Sequence, residues 1–143
     1  MAEPGHSHSA GPHEIYLLRH GETEWNAWGR YQGRLDSPPT ETGIDQALAC
    51  ANLLSANVPN VDALVSSPLG RARQTTDCLL GSGRYPEPCF DNRLSEVSLG
   101  PWDGLSLDDI DAGWPSLLDG TNQYDWYFRS PGGESFEQAL ARA

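Results

Sequence analysis

The first apolar run of the chain, Ile15-Tyr16-Leu17-Leu18 behind Glu14, shows no clean alternation of polar and apolar positions. A short run of that kind suits a strand covered on both faces, as in a parallel sheet. It stops at Arg19-His20-Gly21, residues that fit the mouth of a strand better than its interior. The stretch to Pro39, rich in Gly, Asn, Asp and Pro, reads as a loop. From Thr40 the period changes. Ile44, Ala47, Leu48, Ala51 and Leu54 recur at three and four residues, which marks one face of a helix. Thr40 is its N-cap, Glu41 favours the positive end of its dipole, and Asn57-Val58-Pro59-Asn60 stops it. Val61 to Val65 is a second short apolar run. A helix carrying Leu69, Ala72, Leu79 and Leu80 comes next and closes at Gly81-Ser82-Gly83.

Strand, helix, strand, helix at these lengths predicts a right-handed βαβ unit, with Pro88-Cys89-Phe90 as a third short strand. From Leu94 to Asp125 the pattern predicts loop, with at most one short helix near Leu107 to Ile110. Asp108, Asp109 and Asp111 are read there as helix-start acids, because the Gly and closing Glu of a calcium loop are missing from their places. Ser135-Phe136-Glu137-Gln138 fits a capping box after the Gly132-Gly133 turn, and Phe136, Ala139 and Leu140 begin an apolar face. The chain stops at Ala143, barely two turns in, the pattern expected of a chain cut inside an element. Met1 to His13 reads as a disordered leader, and its His6, His8 and His13 have no supporting shell for a metal.

Composition narrows the picture. A chain of 143 residues, 38% hydrophobic, buries one core and not two. Twenty acidic residues against nine basic ones, all of them Arg, give a net charge of -11. A field of that sign repels a phosphate backbone and argues against a nucleic-acid binder. An anionic substrate must then be held by local donors. No stretch approaches the roughly 18 apolar residues of a membrane span, and the leader lacks the apolar core of a secretory signal. Cys50, Cys78 and Cys89 are odd in number and form no Cys-x-x-Cys pair, so a disulfide framework or zinc knuckle is not expected and a reducing cytoplasm is the default.

The chemistry gathers at predicted sheet ends, where open α/β sheets bind ligands. Arg19 offers a planar fork for phosphate oxygens, and a neutral His20 is a competent nucleophile. If Val61 to Val65 lies parallel to the first strand, Arg71 enters the same mouth from the first turn of its helix, and two arginines clamp one anion. Arg73, two positions on, faces away and takes a surface role.

These segments, in this order, resemble the histidine phosphatase superfamily, which includes the phosphoglycerate mutases. The carriers are Leu17-Leu-Arg19-His20-Gly-Glu-Thr-Glu-Trp-Asn26, Gly29-Arg-Tyr-Gln32-Gly33-Arg-Leu-Asp36 and Thr40-Glu-Thr-Gly43 with Gln46-Ala47. Ser66-Ser-Pro with Arg71-Ala-Arg-Gln-Thr75, Leu94-Ser-Glu96, Gly100-Pro-Trp102-Asp-Gly104 and Pro131-Gly-Gly-Glu-Ser135 complete the series. The resemblance implies an α/β three-layer sandwich, with a mostly parallel central sheet and helices on both faces, incomplete at the C-terminus. It implies that His20 takes the phosphoryl group, that Arg19, Arg71 and Asn26 grip its oxygens, and that Glu96 protonates the leaving oxygen and then activates water. Gln32 and Gly33 match a segment lining the substrate entrance. No metal or other cofactor is implied, and the partner is a small phosphorylated substrate, with a homodimer left open.

The family also carries a second pocket histidine, in a His-Gly pair ending a later strand, and this sequence stops before it. Residues 14–143 are accordingly read as the N-terminal portion of one domain. Alone, the chain is expected to be inactive and poorly folded, exposing the flanks of 14–18 and 61–66. Mutases resemble one another in a Thr-Gly-Trp segment where this chain has Gln32-Gly33-Arg34, and their long insertion after the catalytic glutamate is not evident. A phosphomonoester hydrolase is therefore the first reading, a phosphoglycerate mutase the second, and a non-catalytic phospho-ligand domain or inactive fragment the third. Trp25, Trp28 and Tyr31 serve either substrate stacking or packing.

Overall fold

Thr40 and the small residues behind it explain the longest element of the computed structural model, which describes residues 14–143 apart from 59, 82, 123 and 124. The leader read at 1–13 lies outside the described residues. After the one-turn helix α1 (Glu24–Ala27), α2 spans Glu41–Asn57, and the Thr40 hydroxyl accepts from the Gly43 amide at 3.0 Å. Such a cap contributes about 1 kcal/mol. Ala47 and Ala51 are buried on the inner face of α2, whereas Ile44 and Leu48 stay nearly half exposed. The predicted apolar face is thus narrower than its periodicity implies: only its small side chains sit in the interior.

Strand β1 (Val65–Ser66) pairs in parallel with β2 (Cys89–Phe90), and helix α3 (Gly70–Leu80) runs between them in sequence. The α/β class and the parallel pairing match the sequence reading. Residues 14–18 do not. They form no strand, and among the described residues 14–20 make no backbone hydrogen bond. Of the Val61 to Val65 run, only Val65 joins a strand. A strand is defined by its neighbour, and the apolar run supplies the side chains of a buried strand without supplying the partner. Ile15 and Leu17 are accordingly 80% and 92% exposed.

The second correction concerns 94–125. This segment forms helix α4 (Leu107–Gly113), longer than read, and it holds the best-packed core of the chain. Leu99, Trp102 and Ile110 are fully buried, with Trp114, Trp126 and Tyr127 packed around them. Trp102 stacks on Trp126 at 6.3 Å between centroids and meets Trp114 edge-on at 6.0 Å. Short 3-10 turns at 92–94, 100–102 and 126–128 frame the cluster. Neither a period of two nor one of 3.6 runs through such turns, so the segment reads as loop. Asp108 and Asp109 stand in the first turn of α4, as read, whereas Asp111 lies beyond it, and Ser106 with Asp109 closes a capping box. The last helix, α5 (Phe136–Arg142), carries the predicted box of Ser135 and Gln138.

Two glycines fix the path of the chain beyond His20. A Cβ on Gly21 would lie 2.1 Å from the Gly43 carbonyl oxygen, and one on Gly43 would lie 1.9 Å from that of Glu22. Backbone therefore presses on backbone between the His20 loop and the first turn of α2. No helix among the described residues is long and apolar enough to cross a membrane.

Candidate active site

The segment before Gly21, strand β1, the first turns of α3 and the 94–96 loop enclose a cleft of about 620 Å3. Leu17, Leu18, Leu64, Val65 and Leu79 give it apolar walls, while Arg19, His20, Arg71 and Glu96 line the same space. Four of the seven site residues read from the sequence are thus brought together.

His20 is half-buried, and its Nδ1 lies 2.7 Å from the Gly21 carbonyl oxygen. A carbonyl only accepts, so Nδ1 carries the hydrogen and Nε2 of the neutral ring keeps its lone pair. Burial pulls the imidazole below its ordinary value of 6.5; the Gly21 carbonyl opposes this, the charges of Arg71 and Arg19 reinforce it, and Glu96 opposes them. The resting state at neutral pH is the nucleophilic one. The Gly21 amide donates to the Thr75 hydroxyl at 3.3 Å, tying this turn to the helix that carries Arg71. An NMR titration of His20 is expected to give a pKa below 6.5, with the acid limb of kcat/KM also below that value. Because the folded value is depressed, protonation of His20 in acid favours the unfolded chain. A titration at or above 6.5 would contradict a desolvated ring flanked by two arginines.

Arg71 is buried, with 4% of its side chain exposed. Its Nη1 donates to the Leu35 carbonyl at 2.7 Å and to Asp36 Oδ1 at 3.0 Å, and its Nη2 to the Gly33 carbonyl at 2.8 Å. Of its five N–H donors, Nε and one on Nη2 stay unpaired among the described residues, enough for a two-point grip on an oxyanion. Asp36 also accepts from the Gly70 amide at 2.7 Å and the Arg71 amide at 3.2 Å, capping α3 where Leu69 cannot. Asp36 closes the motif that begins at Gly29, and the resemblance gives it no role. Only the fold shows that its carboxylate holds the Arg71 guanidinium.

Arg19 is exposed and lines the cleft. Glu96 is half-buried, and its Oε1 accepts from the Val97 amide at 2.9 Å. Near it, burial first and the Glu96 charge second push the Tyr127 hydroxyl up to about 12, so that group stays protonated. Arg73 is exposed, as read, with its guanidinium 3.7 Å over the Phe90 ring.

The other three site residues do not line the cleft. Asn26 is exposed and uses Oδ1 to accept from the Thr23 amide and hydroxyl at 3.1 and 3.0 Å. Gln32 is buried, and its Oε1 accepts from the Ser37 amide and hydroxyl, both at 3.2 Å. Gly33, at φ +51°, leaves room for Asp103 Oδ1, which a Cβ would approach to 1.7 Å. Gln32 and Gly33 therefore stand behind Arg71, bracing it through the Gly33 carbonyl.

The site combines a neutral imidazole, two cationic donors and a carboxyl on one cleft, the set needed to hold a tetrahedral dianion and move its central atom onto nitrogen. The chain matches the family model described as Histidine phosphatase superfamily (branch 1) over residues 15–143. It is 35% identical over 133 residues to the probable phosphoglycerate mutase GpmB of Salmonella choleraesuis, covering 90% of this chain and 59% of that protein. A mycobacterial glucosyl-3-phosphoglycerate phosphatase, solved as a complex with VO3, superposes with a TM-score of 0.70 at 37% identity, covering 87% of this chain and 60% of that one. The α-ribazole phosphatase of Shigella flexneri superposes with a TM-score of 0.73 at 32% identity, over the same shares of 87% and 60%. The chain thus spans about three-fifths of the length of these relatives.

Proposed function

The chain belongs to the histidine phosphatase superfamily, and from that premise we propose that the protein hydrolyses a small phosphomonoester through a phosphohistidine on His20. The observation that carries the reading is a neutral His20 with a free Nε2 on the same cleft as Arg19, Arg71 and Glu96. Arg19 and the unpaired donors of Arg71 grip the phosphoryl oxygens. Nε2 attacks phosphorus opposite the ester oxygen; the N–P bond forms as the P–O bond breaks, and Glu96 in its acid form gives its proton to the departing alkoxide. Water then enters on the face that the alkoxide vacated, opposite the N–P bond. Glu96, now a carboxylate, takes a proton from that water, the O–P bond forms, the N–P bond breaks, and phosphate leaves with His20 neutral again. Proton transfer of this kind is worth about a hundred- to ten-thousandfold for a poor leaving group.

Hydrolysis is preferred to mutase chemistry because Gln32-Gly33-Arg34 stands where mutases carry Thr-Gly-Trp, and because structures of phosphatases are among those that superpose on this chain. The name of the GpmB relative is what favours the second reading. A non-catalytic binder needs the arginines but neither a nucleophile nor an acid. Free Cys50, Cys78 and Cys89 fit a reducing compartment, and a cytoplasmic location is proposed on that ground. Mixing the full-length protein with p-nitrophenyl phosphate and, separately, with 3-phosphoglycerate tests the choice. Free phosphate from the ester is expected. Isomerised glycerate phosphate without free phosphate would replace the hydrolase with a mutase.

A further inference from the structure

Outside the four residues on the cleft, one carboxylate collects more partners than any neighbour. Glu134 has 10% of its side chain exposed and receives a two-point grip from Arg142, Nε to Oε1 at 2.5 Å and Nη2 to Oε2 at 3.0 Å. Arg34 Nη2 lies 3.4 Å from both oxygens, and the Ser98 amide donates to Oε2 at 3.4 Å. The Glu134 amide in turn donates to the Ser98 carbonyl at 2.8 Å. The Arg142 hydrogen bond, more than any other contact, holds this carboxyl below its ordinary range, so it is charged at neutral pH.

Both arginines reach past Glu134 to one loop. Arg142 Nη1 donates to the Arg93 carbonyl at 2.6 Å, and Arg34 Nε donates to the Glu96 carbonyl at 3.3 Å. Backbone packing seats the hub from the other side. A Cβ on Gly100 would lie 2.8 Å from the Gly132 carbonyl, and one on Gly133 would lie 2.9 Å from that of Ser98. Residues 93–98 are thus held at Arg93, Glu96 and Ser98 by groups that meet on Glu134.

We propose that Glu134 is a positioning residue for the acid–base group: through Arg34 and Arg142 it fixes the backbone on which Glu96 stands. The role rests on the hydrolase reading. Without the Glu134 charge the two guanidiniums lose the anion that gathers them, and the Glu96 carbonyl loses its anchor. Displacing a catalytic group by about 1 Å costs up to about a hundredfold.

Leaving-group dependence separates positioning from mere structural support. An alkoxide needs the Glu96 proton, whereas p-nitrophenolate leaves without it. In the full-length protein, Glu134→Gln is expected to lower kcat/KM for an alkyl phosphate about tenfold and for p-nitrophenyl phosphate by less than about twofold. Glu96→Gln should show the same inequality more strongly. Arg34→Gln, at a more exposed position, carries the same test in a milder form should the first variant fail to fold. An equal loss on both esters, or none on either, overturns the proposal. A second readout does not need turnover. The Val97 amide, bonded to the Glu96 carboxylate, should exchange with solvent faster in either Glu134→Gln or Arg34→Gln. Should the unaltered protein cleave neither ester, the hydrolase reading fails and the acid–base role with it, while the exchange rate still decides whether Glu134 fixes the Glu96 backbone: acceleration supports that, and an unchanged rate refutes it.

Discussion

Substituting Ala for His20 is expected to lower kcat/KM for every phosphomonoester at least about ten-thousandfold, the scale on which enzymes lose a covalent nucleophile. The expectation rests on the other groups that share the cleft. Arg71 is buried and held by Leu35, Asp36 and Gly33, so its grip does not depend on the imidazole. Glu96 stands on a separate loop. The variant should therefore still bind inorganic phosphate, with a Kd within about threefold of the unaltered protein, while turning over nothing. That split between binding and chemistry is the signature of a lost nucleophile. Residual turnover above about a hundredth would place the nucleophile elsewhere.

Trp102→Ala is expected to cost about 3–5 kcal/mol of stability. Trp102 is fully buried, between Trp114 and Trp126 and beside Leu99 and Ile110. Among the described residues its indole nitrogen has no hydrogen-bond partner, so the loss arises from the cavity and the missing ring contacts, not from a stranded acceptor. Against a total of about 5–15 kcal/mol for a domain, the variant approaches the limit of folding. Urea denaturation measures it. With m near 1–3 kcal/mol/M, the midpoint should fall by about 1–5 M. Val97 packs against this cluster and adjoins Glu96 directly, so the acid loop loses support as well. A loss under about 1 kcal/mol would show that the true core lies elsewhere.

Helices α2 and α5 were legible because each begins with a local device. Thr40 and Ser135 each cap the amide three residues on, and that spacing is visible in one dimension. Strand pairing is not local. The apolar character of 15–18 signals burial on two faces, yet the run forms no strand, because pairing needs a neighbour that an apolar pattern does not specify. The aromatic cluster escaped for another reason: 3-10 turns and glycines place Leu99, Trp102 and Ile110 together without any repeat to betray them.

The site shows the same division. Arg19, His20 and Arg71 were readable because each follows a short apolar run, although the run before Arg19 forms no strand, and Glu96 through family resemblance. Asn26, Gln32 and Gly33 carried motif matches, but their side-chain and backbone bonds go to capping and bracing. Asp36 and Glu134 act through partners 35 and 8 positions away, distances that no pattern along the chain encodes.

The most direct trial of the central claim is to trap the phosphoryl group in transit. The full-length protein, quenched in alkali while turning over a 32P-labelled phosphomonoester, is digested and its labelled peptide mapped. Label on the peptide containing His20, stable in alkali and lost in acid, is the predicted result. Label on another residue, or phosphate released with no labelled protein at any time during turnover, would contradict it.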